Sequence, residues 1–291
     1  MNRSIAAAAG ETVFRDTYQP RSLRNSMFKV MVTMPAVLIL ALMVFIVVQV
    51  LFNGARALNL EFLIAEQRPF GEPGGGVVQA IVGTLMLIVI ATLLSFPLAL
   101  LGALFLHLES GRRSARILEG AINMLQGIPS IVVGVVVYRW IVVPMKSFSA
   151  LAGGAALAII MLPLLVGMMR EALRLVPASY MEAALALGAP RWRAVAGIIV
   201  PAARSGIIEA LGLGIARAAG ETAPLMFTAF GNPFLSVSLR GPVAALPLVI
   251  YEYIKSPYDD WHQKAWGAAF LLMVFVLSLN LVISARKNHI R

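Results

Sequence analysis

The sequence contains no cysteine, and only 13% of its 291 residues are charged. The absence of cysteine excludes disulfides, thiolate metal sites and cysteine nucleophiles. The three histidines (His107, His262 and His289) are far apart in the sequence, which argues against one metal site built from all three. Soluble domains carry about 25% charged residues. The small charged fraction therefore disfavours a soluble enzyme of this length.

What the sequence has in excess is long apolar runs. Hydrophobic residues make up 59% of the chain, and the mean hydropathy is +0.84. A helix of about 20 apolar residues crosses the roughly 30 Å hydrocarbon core of a bilayer. We therefore predict an all-α integral membrane protein with six transmembrane helices. Their predicted positions are about 30–52, 78–106, 121–143, 150–169, 205–228 and 266–285.

One further segment, 234–254, is moderately apolar but contains Arg240, Pro242, Pro247 and Glu252. A seventh span here would also place the basic C-terminal tail outside the cell. Non-helical backbone is tolerated at membrane depth only where protein or water covers it. We therefore predict an external or re-entrant segment packed against the rest of the protein.

The positive charge is distributed unevenly along the chain. Lys and Arg number 24 against 14 Asp and Glu, a formal net charge of +10. Most of the basic residues lie in the N-terminal segment 1–29, the loop after the second span, the loop 170–204 and the tail 286–291. Short loops rich in Lys and Arg stay in the cytoplasm. We predict that both termini are cytoplasmic, and that the excess charge reflects topology in a lipid bilayer rather than nucleic-acid binding.

The long cytoplasmic loop 170–204 has the sequence pattern of a helix–turn–helix. We predict a short helix over Ser179–Leu187, with Ser179 as N-cap and Glu182 three residues later completing a capping box. Gly188 suits the left-handed residue that ends a helix, and Pro190 suits the first turn of the next one. We call this loop the bracket. Its small-residue surface is suited to docking another protein.

The bracket also carries a spaced signature: Glu-Ala-Ala at 182–184, three residues, Gly188, nine residues, then Ile198-x-Val200-Pro201. It resembles the EAA loop of binding-protein-dependent ABC importer permeases, in which a Leu usually occupies the place of Val200. The resemblance implies a MetI-like architecture. It also implies that the loop is the coupling helix that binds the ATPase subunit, with contacts at Glu182, Ala183, Ala184 and Gly188.

Two further stretches narrow the resemblance. The segments 127–134 (Gly-Ile-Pro-Ser-Ile-Val-Val-Gly) and 217–224 (Arg-Ala-Ala-Gly-Glu-Thr-Ala-Pro), the latter continuing to Phe-Thr-Ala, are similar to phosphate-specific permeases of the PstA type. The similarity covers roughly residues 75–285. It implies import of inorganic phosphate across the bacterial cytoplasmic (inner) membrane.

The predicted fifth span contains charged residues that lipid would disfavour. Arg217 and Glu221 are four residues apart, so we expect them to share one helix face. Each charge costs about 2.5–3.5 kcal/mol at the bilayer centre, a cost that pairing offsets in part. A guanidinium binds oxyanions well. The alternative is an ion pair that only orients the helix, but we assign Arg217, Glu221 and Thr222 to the translocation pathway.

The chain lacks the machinery of an ATPase. No Gly-x-x-x-x-Gly-Lys-Ser/Thr occurs, and none of the lysines follows a glycine. We therefore expect a transport subunit that is not an enzyme and has no cofactor. The resemblance implies four kinds of partner: a second, PstC-like permease, two PstB-like ATPase subunits, an extracytoplasmic phosphate-binding protein and the lipid bilayer. The mechanism it implies is alternating access.

Two alternatives stay open at this point. The first is a permease for another oxyanion (sulfate, molybdate or phosphonate), against which the Gly-Glu-Thr-Ala-Pro stretch argues. The second is a channel or carrier that works without ATP, against which the complete EAA spacing argues.

Overall fold

The computed structural model describes residues 4–69, 71–72 and 74–288, so that His289 and the end of the predicted tail lie outside the described residues. Within them the chain is helical, and the only β-type pairing is one isolated bridge between Phe230 and Val243. The helices, in order, are α1 Ser4–Ala57, α2 Leu60–Ile64, α3 Val78–Leu108, α4 Arg113–Gly127, α5 Ser130–Met145, α6 Ala150–Arg174, α7 Ala178–Ala186, α8 Arg191–Ala202, α9 Arg204–Ala219, α10 Ala223–Thr228, α11 Leu246–Ile254 and α12 Asp259–Asn288.

The described residues provide up to six membrane spans. Four helices are long and apolar enough to cross a membrane: the Arg24–Ala57 part of α1, then α3, α6 and the Asp259–Ala285 part of α12. Two bent pairs bring the number to six, α4 with α5 at 101° and α8 with α9 at 68°. The all-helical membrane fold is therefore confirmed. The nine-residue α11, at about 14 Å, is too short for a seventh span.

The chain divides into two compact units, 1–52 and 53–291. The first consists of the greater part of α1. Its described apolar side chains are exposed, as at Val37, Leu38 and Met43, except for the half-buried Val50 near its end. A helix that is apolar on every side is suited to a hydrocarbon environment rather than to water.

The predicted third span, 121–143, is divided between α4 and α5. Ile128 precedes a proline and is extended (φ −75°, ψ 126°), because the pyrrolidine ring disfavours helical backbone at that position. Pro129 is the N-cap of α5 and has no N–H to continue the hydrogen bonds of α4. The two helices meet at 101° for this reason.

Two helices contain a π-helical turn. The segment Tyr138–Val142 lies within α5, and Val195–Ile199 lies within α8. Each π turn ends just before a Val-Pro pair, at Pro144 and Pro201. A proline removes one N–H from an α-helix and crowds the carbonyl four residues earlier, and a π turn relieves both effects.

The centre of the second unit is α6. Its N-terminus is closed by Ser149, whose Oγ accepts from Ala152 N at 3.1 Å, and by backbone carbonyls of the segment 239–241, which accept from Ala150 N and Leu151 N at 3.1 Å each. Along its length α6 packs on α3 and α9, with fully buried side chains at Leu157, Met161, Leu165, Met169 and Leu173. This core fixes the helices that carry the candidate site.

Two segments, each containing one short helix and irregular chain around it, close the end of the second unit where α3 and α6 begin. We call the described residues of these segments, 58–69, 71–72, 74–77 and 229–258, the cap. Side chains fasten them: Glu66 Oε1 accepts from Leu235 N at 2.9 Å, and Lys264 Nζ of α12 donates to Gly74 O at 2.7 Å. Below them, Thr84 Oγ1 of α3 accepts from Leu246 N at 2.8 Å in a buried position.

Candidate functional site

The bracket is built from α7, a tight turn and α8. Gly188 N donates to Leu185 O at 3.0 Å and Ala189 N donates to Ala184 O at 3.1 Å, the two hydrogen bonds of a Schellman motif. Gly188 has φ +79°, as the sequence predicts. A Cβ at Gly188 would meet nothing within 4 Å, so the requirement for glycine is conformational.

The predicted capping box is wrong. Helix α7 begins at Ala178, its N-cap is Pro177, and no side chain caps it. Pro177 is extended and is followed by α7, so the helix begins two residues earlier than it would with Ser179 as its N-cap. Glu182 is consequently left exposed, without a role in the helix terminus.

The surface of the bracket is more apolar than its alanines suggest. Glu182, Ala183 and Gly188 are exposed, whereas Ala184 is 5% exposed and packs towards the protein. Three large side chains that the sequence argument missed are exposed beside them: Tyr180 (50%), Leu187 (89%) and Trp192 (67%). Aromatic and leucine residues in a loop predicted to lie outside the membrane are the signal that would have identified them.

The predicted fifth span, 205–228, is interrupted at the Gly-Glu-Thr stretch. Helix α9 ends at Ala219, and α10 begins at Ala223. Pro224 in the first turn of α10 cannot donate a hydrogen bond back across the interruption, so Gly220, Glu221 and Thr222 form a break between the two helices. Glu221 N still donates to Ala218 O at 3.2 Å.

The expectation that Arg217 and Glu221 share one continuous helix face is therefore wrong, because Glu221 lies in the break. The two side chains nevertheless come together, with 3.9 Å between Arg217 Nε and Glu221 Oε1. Their side chains are 51% and 19% exposed. The two side chains thus form an ion pair at a helix break, and the guanidinium of Arg217 is half exposed.

A second helix break lies beside the first. Helices α5 and α10 pack against each other, and a Cβ at the buried Gly134 would lie 2.7 Å from Pro224 Cα. Gly134 is one turn after the start of α5, and Pro224 is in the first turn of α10. The helices α5 and α10, which follow the breaks at 128–129 and 220–222, are therefore in direct contact.

Metal binding has no support in the part of the chain that the structure describes, where no three His, Asp or Glu side chains form a group able to hold an ion. The site offers a guanidinium, a carboxylate, a threonine hydroxyl and backbone groups at two helix breaks. Such groups bind an anion through hydrogen bonds and charge.

Comparison with known proteins agrees with these features. Residues 95–290 match the protein family described as "Binding-protein-dependent transport system inner membrane component". The phosphate transport system permease protein PstA of Pasteurella multocida is 41% identical over 79% of this chain and 82% of its own length. PstA of Yersinia pestis is 38% identical over 85% of each chain, and the probable PstA of Methanocaldococcus jannaschii is 40% identical over 70% of this chain and 73% of its own.

Solved structures show the same fold. A chain of the MetNI methionine ABC transporter, in an inward-facing conformation, superposes with a TM-score of 0.61 at 19% identity, covering 74% of this chain and 96% of that one. A chain of an amino acid ABC transporter gives 0.51 at 20% identity, covering 73% and 94%. The chain belongs to the family of binding-protein-dependent transport system inner membrane components and, within it, to the PstA-type permeases.

Proposed function

We propose that this chain is the permease subunit of an ATP-driven importer of inorganic phosphate. The assignment of phosphate as the substrate rests on 38–41% identity, over most of the chain, to permeases named for phosphate transport. A multi-pass permease without a nucleotide-binding loop depends on separate ATPase subunits. The complete assembly would contain this chain, a PstC-like permease, two PstB-like ATPases and a phosphate-binding protein.

The bracket would transmit the movements of the ATPase subunits to the membrane helices. A rigid helix–turn–helix with exposed Tyr180, Leu187 and Trp192 has the anchors typical of a protein interface. Glu182 and Ala183 of α7 and Gly188 of the following turn are exposed as well. Ala184, which is buried, would hold the bracket against the membrane helices instead of touching the ATPase.

Arg217, Glu221 and Thr222 would line the translocation pathway. A half-exposed guanidinium within an apolar helix bundle is too costly to face lipid, so it would face water or a partner protein. Phosphate loses its hydration on entering such a pathway, and Arg217 supplies charge and N–H donors in return. Glu221, 3.9 Å away, would keep Arg217 oriented and limit how tightly the anion is held.

The side of each segment follows from the basic residues. With both termini and the bracket in the cytoplasm, the cap faces outwards. ATP binding and hydrolysis would move the brackets and reorient the helices between outward-open and inward-open states, a two-state transition of the kind expected for alternating access.

The decisive test is uptake of radiolabelled phosphate by cells that lack this chain, with and without a plasmid that restores it. We expect restored uptake that excess unlabelled phosphate abolishes and equimolar sulfate leaves unchanged. Uptake that persists without the chain, or competition by sulfate as strong as by phosphate, would contradict the proposal.

A further inference from the structure

Helix α4 runs antiparallel along the half of α6 that leads into the bracket. Two side-chain contacts join the helices: Arg170 Nη1 of α6 donates to Glu119 Oε1 of α4, and Gln126 Nε2 of α4 donates to Pro163 O of α6 at 3.5 Å. The two contacts are seven residues apart on each helix and occur in opposite order along the chain. Seven residues span about 10 Å of α-helix, so both contacts fit two helices that lie side by side.

The face of α4 that meets α6 carries one charged residue. Ala115, Glu119, Ile122 and Gln126 are spaced by four, three and four residues, which places them on one side of the helix. Ala115 and Ile122 are buried in the same core cluster as the apolar side chains of α6. Glu119 therefore approaches α6 between two apolar contacts, although 42% of its side chain stays exposed.

Arg170 is the residue at which α6 enters the bracket, and it depends on Glu119. Its side chain is 12% exposed, and its Nε is buried without a hydrogen-bond partner among the described residues. A guanidinium removed from water needs an anion, and loss of that anion leaves a buried charge without compensation. Arg174, one turn further, pairs instead with Glu171 of its own helix at 2.8 Å. The carboxylate that Arg170 requires thus comes from a second helix.

The other end of α4 is a joint. Ile128 and Pro129 are extended between α4 and α5, which meet at 101°. Backbone rotation at a joint of this kind changes the angle between two helices while each keeps its own hydrogen bonds. Helix α4 is therefore a rigid element of about 22 Å, fixed to α6 through Glu119 and jointed to α5 at Ile128.

From α5 the contacts continue to the charged pair. Helix α5 packs on α10 at Gly134 and Pro224, and the first turn of α10 follows Glu221, the partner of Arg217. A movement of the bracket displaces the end of α6. While the ion pair with Arg170 is intact, α4 must follow that displacement, and its joint passes the movement to α5 and α10.

We propose that Glu119 and Arg170 are positioning residues that couple movement of the bracket to the two helix breaks. This inference rests on the proposed function, since it concerns how ATP hydrolysis drives transport. Neither residue needs to touch phosphate. Their ion pair makes α4 follow the bracket, and without it the ATPase subunits hydrolyse ATP while less phosphate crosses the membrane per ATP.

The test uses the assembled complex, with its ATPase subunits and phosphate-loaded binding protein, in liposomes where ATP hydrolysis and phosphate transport are both measured. Glu119→Gln should lower the phosphate moved per ATP at least about fivefold, the lower end of typical coupling effects. Arg170→Gln should do the same. The double variant should be about as impaired as either single variant, because all three lose one shared interaction.

Glu109→Gln is the matched control. It removes the same charge and breaks an ion pair at 2.6 Å, but the partner, Arg112, lies only three residues further along the same turn between α3 and α4. That pair does not connect α4 to α6. The phosphate moved per ATP should therefore equal that of the unmodified complex.

A covalent link can replace the ion pair in a second experiment. The chain has no cysteine, so Glu119→Cys combined with Arg170→Cys introduces two thiols into it and no others. Before cross-linking, this variant should move as little phosphate per ATP as Glu119→Gln. A short bifunctional thiol reagent should restore the ratio, because it joins α4 to α6 again.

An unchanged ratio of phosphate to ATP in Glu119→Gln would overturn the inference, and so would a cross-linked variant whose ratio is not restored. Hydrolysis and transport that fall in proportion in Glu119→Gln would also contradict it, since a purely structural residue has that effect. Glu119 is partly exposed, so Glu119→Gln stays informative even if Arg170→Gln does not assemble. Failure of the proposed function is distinguishable, because the unmodified complex itself would then transport no phosphate.

Discussion

Gly134 is the point at which α5 touches α10. A methyl group added there would lie 2.7 Å from Pro224 Cα and 3.1 Å from Pro224 O, both closer than van der Waals contact allows. The obstructing atoms are backbone, so no side-chain rotation relieves the clash. Gly134→Ala must therefore separate the two half-helices at the level of the helix breaks.

Overpacking of a well-packed interior costs about 1–3 kcal/mol. A cost of this size changes an equilibrium between two conformations by roughly 5- to 150-fold. We expect Gly134→Ala to lower phosphate uptake at least about fivefold and to lower the melting temperature of the assembled complex. The effect acts on conformations in which α5 and α10 are in contact, so its first consequence is a displaced α10.

Gly127→Ala is the matched control. Gly127 ends α4 beside the same break, but a Cβ there meets nothing within 4 Å. Alanine also has the higher helix propensity, so this variant should melt at the same or a higher temperature and retain uptake. The assay is radiolabelled phosphate uptake together with thermal unfolding of the purified complex. If Gly134→Ala and Gly127→Ala both behave like the unmodified chain, the close contact between Gly134 and Pro224 is not required for transport.

Three further predictions concern the bracket, the charged pair and the topology. Gly188→Ala should weaken co-purification of the ATPase while membrane insertion persists, because φ +79° strains any residue with a Cβ; unchanged co-purification would count against the bracket. Arg217→Gln should abolish phosphate uptake and leave the complex assembled, and normal uptake would remove Arg217 from the pathway. Leu187→Cys, 89% exposed, should react with an impermeant thiol reagent in inside-out vesicles and stay unlabelled in intact cells; labelling from outside would reverse the topology.

The sequence predicted the structure best where only one residue type satisfies a structural requirement. Gly188 follows the alanine- and leucine-rich stretch 183–187, and only glycine adopts φ +79° without strain, so the turn of the bracket was predictable. The apolar runs were likewise predictable, since their length matches a bilayer. To identify up to six spans, it is enough to recognise the long apolar runs, even where a run is bent.

The breaks and the cap were harder to predict, for physical reasons. Hydropathy measures how apolar a run is and not whether it is straight. The prediction therefore treated two segments as continuous helices, 121–143 and 205–228, although Pro129 and Pro224 interrupt them. The capping box failed because Pro177 offered a competing helix start. The cap depends on contacts between segments far apart in sequence, such as Glu66 with Leu235, which no local pattern reveals.

The two π turns have a consequence for how these helices tolerate insertion and deletion. Val137 and Val142 are both buried, as are Ala194 and Ile199, and each pair is five residues apart. On an α-helix residues five apart lie on different faces, whereas a π turn brings them onto one. Each π turn thus already contains one residue more than an α-helical turn would, and the helix after it keeps its buried face. Deleting one residue within the π turn would restore an α-helical turn, and the side chains before and after it would still face the core.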